Sequence, residues 1–403
     1  MQSDVKELSD AVHAVIGPVR EFRHALHAYP EIGLKEFKTS EAVSRKLSDA
    51  GCDSVTEGVG GTGVVALIYG KRPGKHTVAF RADMDALPMT EATGCPWTSR
   101  TAGLMHGCGH DGHTAWAVAV ASALCATRDF AGTAMIIIQP GEEGWAGARK
   151  MIEDGLFTRW NVDEVYAGHC APELKVGQFG LTPGLMTSAA ALFHVDVTGV
   201  GCHGARPHTG RDPVVAASEL VLALQTVVSR SIDPMHPAAL TVASIHGGNE
   251  NGVSVIPDSV RVSGTTRCLF PGDCDTIEER MNAICQGVSM TTGCAVKLTY
   301  VRMYPPLKNA EPQRQAAGAV LRELVGEENV DMNNPASMGA EDFSFMCNEK
   351  PGVYIRVGVR DADHTANLHN PHYDFNDAVL EKTAVAFSLL IKRRLDALEG
   401  CSQ

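Results

Sequence analysis

Residues 103–117, GLMHGCGHDGHTAWA, crowd Cys108, His106, His110 and His113 among glycines. Cys108 and His110 lie two positions apart, so an extended or looping backbone can turn both to one side, and the flanking glycines allow close approach to a cation. That spacing makes a two-ligand clip, although a turn ending in a helix-start histidine would account for it too. Glu142 and Glu143 in QPGEEG follow an apolar run. Adjacent side chains there diverge, so one can bind a metal while the other reaches a metal-held water, a pairing suited to metal-assisted hydrolysis. Read alone, the pair is also an exposed acidic turn. His169 in AGHC and His369 in LHNP are single histidines that fit structural roles when taken one at a time. Asp83 and Asp85 in RADMDALP can orient ligands, because metal-binding imidazoles usually donate their other N–H to a carboxylate, or can simply end a strand. His106 and His113 are assigned supporting or packing roles.

What links these stretches is the elements before them. Strand patterns cover VVALIY (64–69), TVAFRA (77–82), TAMIIIQ (133–139) and EVYAGH (164–169), and helical patterns cover 4–16, 37–50, 114–127 and about 377–397. Strands alternating with helices predict an α/β fold, a mostly parallel sheet covered by helices, and such sheets bind ligands where their strands end. After about residue 186 the texture changes to half-buried strands, a helix capped by Asp212 with Pro213 in its first turn, and a second helix near 275–290. An inserted α+β domain is therefore expected at 187–302, with 1–186 and 303–403 forming the metal-binding catalytic domain. The Gly-rich GVGGTGVVALIYG leads into a strand instead of opening a helix, and no Gly-Lys-Ser/Thr follows, so it is not a nucleotide loop.

Composition narrows the function. The chain has 403 residues, 44% hydrophobic, with a formal net charge of -12 and no dense Lys/Arg cluster, so nucleic acid is not an expected partner. No apolar stretch approaches the roughly 18 residues of a membrane span, and a cytoplasmic protein is expected. Twelve cysteines are scattered without a CxxC, which predicts mostly small buried thiols and leaves a redox reading of Cys108 without a partner.

Taken together, FRHALHAYPEIGLKEF, RADMDALP, MHGCGHDGHTA, IIQPGEEGWAGARKM, GCHGARPHTGRDPVVAAS, VIPDSVRVSGTTR, GAEDFSFM and LHNPHYDFND resemble the two-metal exopeptidases and aminoacylases over nearly the whole chain. The resemblance is to their amidohydrolase branch of hippurate hydrolases, plant indoleacetyl-amino-acid hydrolases and bacterial N-acyl-amino-acid deacylases. It implies that Cys108, His110, Glu143, His169 and His369 bind two divalent metals and that Glu142 is the general base; the supporting role expected of Asp83 rests on the residues alone. It also implies that the inserted segment is a lid or dimerisation domain whose His203 reaches the substrate oxyanion, across the dimer in related enzymes, while Arg267 binds a substrate carboxylate. The expected partner is a second copy, giving a homodimer or a tetramer.

The reaction so implied is hydrolysis of an N-acyl amino acid to a carboxylic acid and a free amino acid, by a metal-bound water that Glu142 deprotonates. Cys108 favours zinc, cobalt or nickel, with manganese also allowed. The competing activities are a dipeptidase or carboxypeptidase on the same scaffold, and a non-catalytic acyl-amino-acid binding protein. Three departures from the family's pattern stand out. SVIP (254–257) replaces NVIP, with Asn251 nearby; QPGEE replaces QPAEE, which should loosen that turn; and Cys202 precedes His203 where glycine is common.

Overall fold

The computed structural model describes residues 2–400. The described residues fall into two compact units, one of residues 2–184, 308–335 and 342–400, the other of residues 185–307 and 336–341. Residues 336–341, which the sequence reading leaves with the catalytic part, cluster with the second unit.

The first unit is built on β1 (Ser54–Val59), β2 (Gly63–Tyr69), β3 (Arg72–Asp83), β4 (Ala131–Gln139), β5 (Glu164–Lys175), β6 (Phe179–Gly180), β7 (Val330–Asp331) and β8 (Gly352–Arg360). They form one sheet in the order β1-β2-β4-β3-β5-β8-β6-β7. The central four, β4, β3, β5 and β8, are mutually parallel, whereas β1, β2 and β4 pair antiparallel at one side. The helices are α1 (Gln2–Ala28), α2 (Phe37–Asp49), α3 (His110–Thr127), α4 (Glu311–Val325) and α5 (Leu380–Gly400). Helix α3 is apolar nearly all round, and Ala115–Ala121 are fully or almost fully buried because α1 and α5 both pack on it. This buries the helix whose first residue is His110.

Two boundaries differ from expectation in ways that bear on the site. The first helix, expected to stop at residue 16, runs through Pro18 to Ala28. A proline there removes one helical hydrogen bond, but the stripe Leu8, Val12, Ile16, Val19, Phe22 and Leu26 is buried along the whole length and outweighs it. The extra turns carry Arg23 and His27. Strand β5 continues past His169, expected at its end, to Lys175. The β3 ladder stops at Arg81 opposite Ala167, while β8 stays paired with β5 and holds His169 opposite Arg356. One edge of β5 is thus free where His169 stands.

The second unit has a four-stranded antiparallel sheet in the order 238–247, 259–268, 189–198, 295–304. The helices Pro213–Leu224 and Pro271–Thr292 contribute Leu220, Leu224, Ile277 and Met281 to a core that includes Phe193, Val195 and Val197. Asp212 caps the first of these helices, its carboxylate accepting from the Val214 N–H at 2.8 Å. Most of the described cysteines are free thiols, but Cys268 and Cys274 form a disulfide, because a strand end and the next helix's first turn bring their Cα atoms to 5.8 Å. Among the described residues no helix is long and apolar enough to cross a membrane.

Candidate metal centre

Strands β3 and β4 end side by side, Asp83 opposite Gln139, and the chains leaving them build one wall of the site. After Gln139 the backbone turns sharply at Gly141, in the left-handed region at φ +55°, with the Gly147 N–H closing the loop onto the Gly141 carbonyl at 3.0 Å. Glycine takes this conformation without strain where alanine would not, so the QPGEE spelling eases the turn instead of loosening it. The N–H groups of Glu142 and Glu143 then both donate to the Asp85 carboxylate, each at 3.0 Å. The opposite wall comes from Gly109, left-handed at φ +81°, which swings the chain from Cys108 into α3.

These walls bring the sequence candidates together. Ligand atoms of Cys108, Glu143 and His369 lie within 4.8 Å of one another, as do those of His110, Glu142 and Glu143. Glu143 Oε1 is 3.1 Å from His369 Nε2, and Cys108 Sγ is 3.5 Å from His169 Nε2. His169 Nδ1 donates to the Cys170 carbonyl at 2.8 Å, which leaves Nε2 as the lone-pair nitrogen facing Cys108. His110 is fully buried, its Nδ1 is held by Asp85 at 3.1 Å, and its Nε2 makes no hydrogen bond among the described residues. A buried imidazole nitrogen with no hydrogen bond, opposite a carboxylate-anchored one, is the arrangement of a metal ligand.

His113 is different. Its Nδ1 meets Asp83 at 2.6 Å and its Nε2 accepts the Cys170 N–H at 3.0 Å, so both nitrogens are engaged in holding the framework. Asp83 bonds Arg81 at 2.8 Å besides His113 and stands 3.8 Å from His110 Nε2. It is Asp85 that grips a candidate ligand. His106 is buried with neither nitrogen hydrogen-bonded among the described residues, and burial pushes it down to about 4, which keeps it neutral.

The electrostatics ask for a cation. Asp83, Asp85, Glu142 and Glu143 converge here, and Arg81 is shared with Asp342 at 3.1 Å. Burial opposes charge on His110, yet Asp83, Asp85 and Glu143 outweigh it and raise the imidazole to about 10. Burial first, and Glu143 after it, hold the Cys108 thiol well above its ordinary range. Added positive charge reverses both shifts and favours the neutral imidazole and thiolate that bind metals. The donor set of one thiolate, three imidazoles and carboxylate fits borderline divalent ions.

Two groups of residues escaped the sequence reading. Asp342 accepts from Gln139 Nε2 at 2.7 Å and from the Ala148 N–H at 2.9 Å, and its own N–H faces Glu142 Oε1 at 3.4 Å. The motif GAEDF contains it, but nothing in the spelling singles out that acid. Behind α3, Arg23 pairs with Asp111 at 3.0 Å and Asp377 at 2.7 Å, and His27 bridges Asp111 at 2.9 Å and Glu91 at 3.2 Å. These pairs tie α1 to the residue after His110 and to the segment that follows His369.

His203 and Arg267 belong to the second unit. His203 is exposed, its Nδ1 accepting the Ala205 N–H at 3.0 Å. Arg267 is half-buried and donates to the Thr266 carbonyl at 2.9 Å and to Thr265 Oγ1, with no carboxylate partner among the described residues.

Residues 79–393 match the sequence pattern of peptidase family M20/M25/M40. The chain belongs to this family. As an M20 member it is a hydrolase acting on amide bonds. Two relatives align over nearly their full lengths. A hippurate hydrolase of Campylobacter jejuni is 34% identical over 379 residues, 94% of this chain and 97% of that one. An N-acetyl-L-cysteine deacetylase of Bacillus subtilis is 35% identical over 400 residues, 99% of this chain and 92% of that one. A solved Bacillus subtilis structure, described as a dinuclear metal binding peptidase of the M20 family, superposes with a TM-score of 0.81 at 27% identity, covering 95% of this chain and 99% of that one.

Proposed function

We propose that this M20 hydrolase cleaves N-acyl amino acids to a carboxylic acid and a free amino acid, with Glu142 as general base. Cys108, His110, Glu143, His169 and His369 are the residues we assign to two divalent cations. When bound, these supply Lewis acidity toward the amide carbonyl and lower the pKa of an attacking water. The thiolate of Cys108 favours zinc, cobalt or nickel over manganese, and a reducing cytoplasm would keep it available.

One observation carries the assignment of the base. Glu142 and Glu143 are neighbours on one turn, yet Glu143 faces His369 at 3.1 Å while the buried Glu142 carboxylate lies within 4.8 Å of the His110 and Glu143 ligand atoms. Glu142 is held from behind by the Asp342 N–H and by the Asp85 grip on its own backbone. A carboxylate fixed in this way can take the proton of the attacking water and return it to the leaving nitrogen. We assign His203 to the developing oxyanion and Arg267, which has no carboxylate partner among the described residues, to the carboxylate of the substrate.

The relatives named for hippurate and N-acetyl-cysteine support the substrate class. We infer a homodimer, or a tetramer assembled from it, through the second unit. Its helix Pro213–Leu224 exposes Val214, Val215 and Leu222, and Ile245 is exposed on the edge strand 238–247.

A hydrolysis panel tests this reading. Acetyl-, benzoyl- and indoleacetyl-amino acids are offered beside simple dipeptides to enzyme loaded with Zn, Mn, Co or Ni, with EDTA as control. Release of amino acid from the acyl substrates, lost on chelation, is expected. Faster turnover of the dipeptides would replace the deacylase reading with a dipeptidase, and binding without release would leave a capture protein.

A further inference from the structure

The corner where α2 runs into β1 meets the last turn of α3, and two free cysteines face each other there. Cys52 Sγ and Cys125 Sγ are 3.8 Å apart although 73 residues separate them in sequence. Both are only half-buried. The backbone around them is fixed from several sides. The Cys52 N–H donates to the Leu47 carbonyl at 3.2 Å, and the next residue's N–H donates to the Leu67 carbonyl at 2.8 Å. Arg128, three residues beyond Cys125, donates to the Gly51 carbonyl at 2.7 Å, the Tyr69 carbonyl at 2.9 Å and the Asp53 carboxylate at 2.7 Å. The two thiols are therefore held together by contacts that do not involve either sulfur. Joining them to a bond of about 2.05 Å needs less than ~2 Å of sulfur movement. A groove of about 380 Å³ lined by Val19, Phe22, Lys46 and Cys125 gives a small reagent access to one of them.

We propose that Cys52 and Cys125 are a dithiol modification site that closes reversibly to a disulfide when the protein meets hydroperoxides. Cys125 is the attacking sulfur. The sulfur–sulfur contact with Cys52 lowers the Cys125 pKa against the cost of burial, with Arg128 adding to the effect, while Cys52 is raised. The Cys125 thiolate attacks the terminal oxygen of the hydroperoxide. An S–O bond forms, the O–O bond breaks, and the departing alkoxide or hydroxide takes a proton to leave as alcohol or water. The Cys52 thiolate then attacks the sulfenic sulfur, forming the S–S bond and expelling hydroxide, which leaves as water. In total two thiols lose two electrons and two protons, and one hydroperoxide is reduced to an alcohol or water plus one water. A dithiol reductant restores the starting state. The site lies apart from Cys108, at the opposite end of α3 from His110.

Metal-loaded protein is exposed to one equivalent of hydrogen peroxide, quenched with an alkylating reagent, digested without reduction and mapped by mass spectrometry. The expected product is a peptide pair joined through Cys52 and Cys125, absent after dithiothreitol, with both thiols protected from alkylation. In Cys52→Ser a dimedone adduct is expected on Cys125, and in Cys125→Ser neither the crosslink nor an adduct on Cys52. The proposal is overturned if both thiols of the wild-type protein stay alkylatable while other cysteines oxidise, or if Cys125 pairs elsewhere. The wild-type map decides this even if a variant fails to fold.

Discussion

Asp85 holds His110 and the Glu142–Glu143 turn in a single grip: one carboxylate meets His110 Nδ1 at 3.1 Å and accepts two backbone N–H groups at 3.0 Å. It thereby sets the tautomer of one candidate ligand and the position of a second, together with that of the proposed base. Asp85→Asn removes the charge while keeping the shape, so the imidazole is no longer anchored as a donor to a carboxylate. Metal affinity is expected to fall by about 10–100-fold, read by calorimetric titration of metal-free protein. Unchanged affinity would show that His110 is oriented by something else.

Glu142→Gln separates chemistry from metal binding. The amide is nearly isosteric and can still accept from the Asp342 N–H, but it cannot take a proton. We expect kcat to fall by roughly 10²–10⁴-fold with metal content, measured by mass spectrometry, close to wild type. A variant that keeps its activity would remove Glu142 from the role of base.

Cys108→Ala tests the opposite pairing of effects. The sulfur stands 3.5 Å from His169 Nε2 and shares a cluster with Glu143 and His369. Its loss removes a donor and a negative charge together, so metal content should drop below that of the wild-type protein and activity with it. Full metal occupancy in this variant would require a different ligand.

How much of this was legible beforehand depended on sequence distance. The α/β class and the mostly parallel sheet followed from alternating strand and helix patterns, because each pattern is local. Cys108, His110, Glu142 and Glu143 were conspicuous because metal-binding side chains were packed densely or followed a buried strand. The partners of these residues were not legible. Whether Asp83 or Asp85 would grip His110 turns on strand register and on a left-handed glycine at 141, neither of which the alternation encodes. Arg23 and His27 were hidden for another reason. An arginine and a histidine in an amphipathic helix read as a solvated face until α1 is known to pass over α3, and both lie beyond the 4–16 helical pattern. Cys52 and Cys125 were unpaired by spacing, since only the folded corner around Arg128 brings them together.

The inferred dimer makes a solution prediction. Leu222 is 73% exposed on the helix that also exposes Val214 and Val215, and burying such a row offsets the entropy lost on association. Leu222→Glu places a charge in that row and should shift the protein toward monomers in sedimentation velocity runs, without lowering metal content. An unchanged distribution would place the interface elsewhere.

The buried pairs behind α3 predict a pH dependence of stability. His27 is fully buried between Asp111 and Glu91. Burial opposes its charge, but the Asp111 carboxylate outweighs this and raises the imidazole to about 10 from its ordinary 6.5. The folded protein therefore keeps a proton between these values that the unfolded chain has lost. The stabilisation is fully present below pH 6.5 and is lost as pH rises through 10, amounting to a few kcal/mol in order of magnitude. His27→Gln has no proton to hold. The gap in unfolding free energy between wild type and His27→Gln, measured by denaturant titration at constant metal, should be widest near pH 6 and narrow steadily toward pH 10. A gap that stays constant over this range would mean that His27 is neutral in the folded protein, with Asp111 balanced by Arg23.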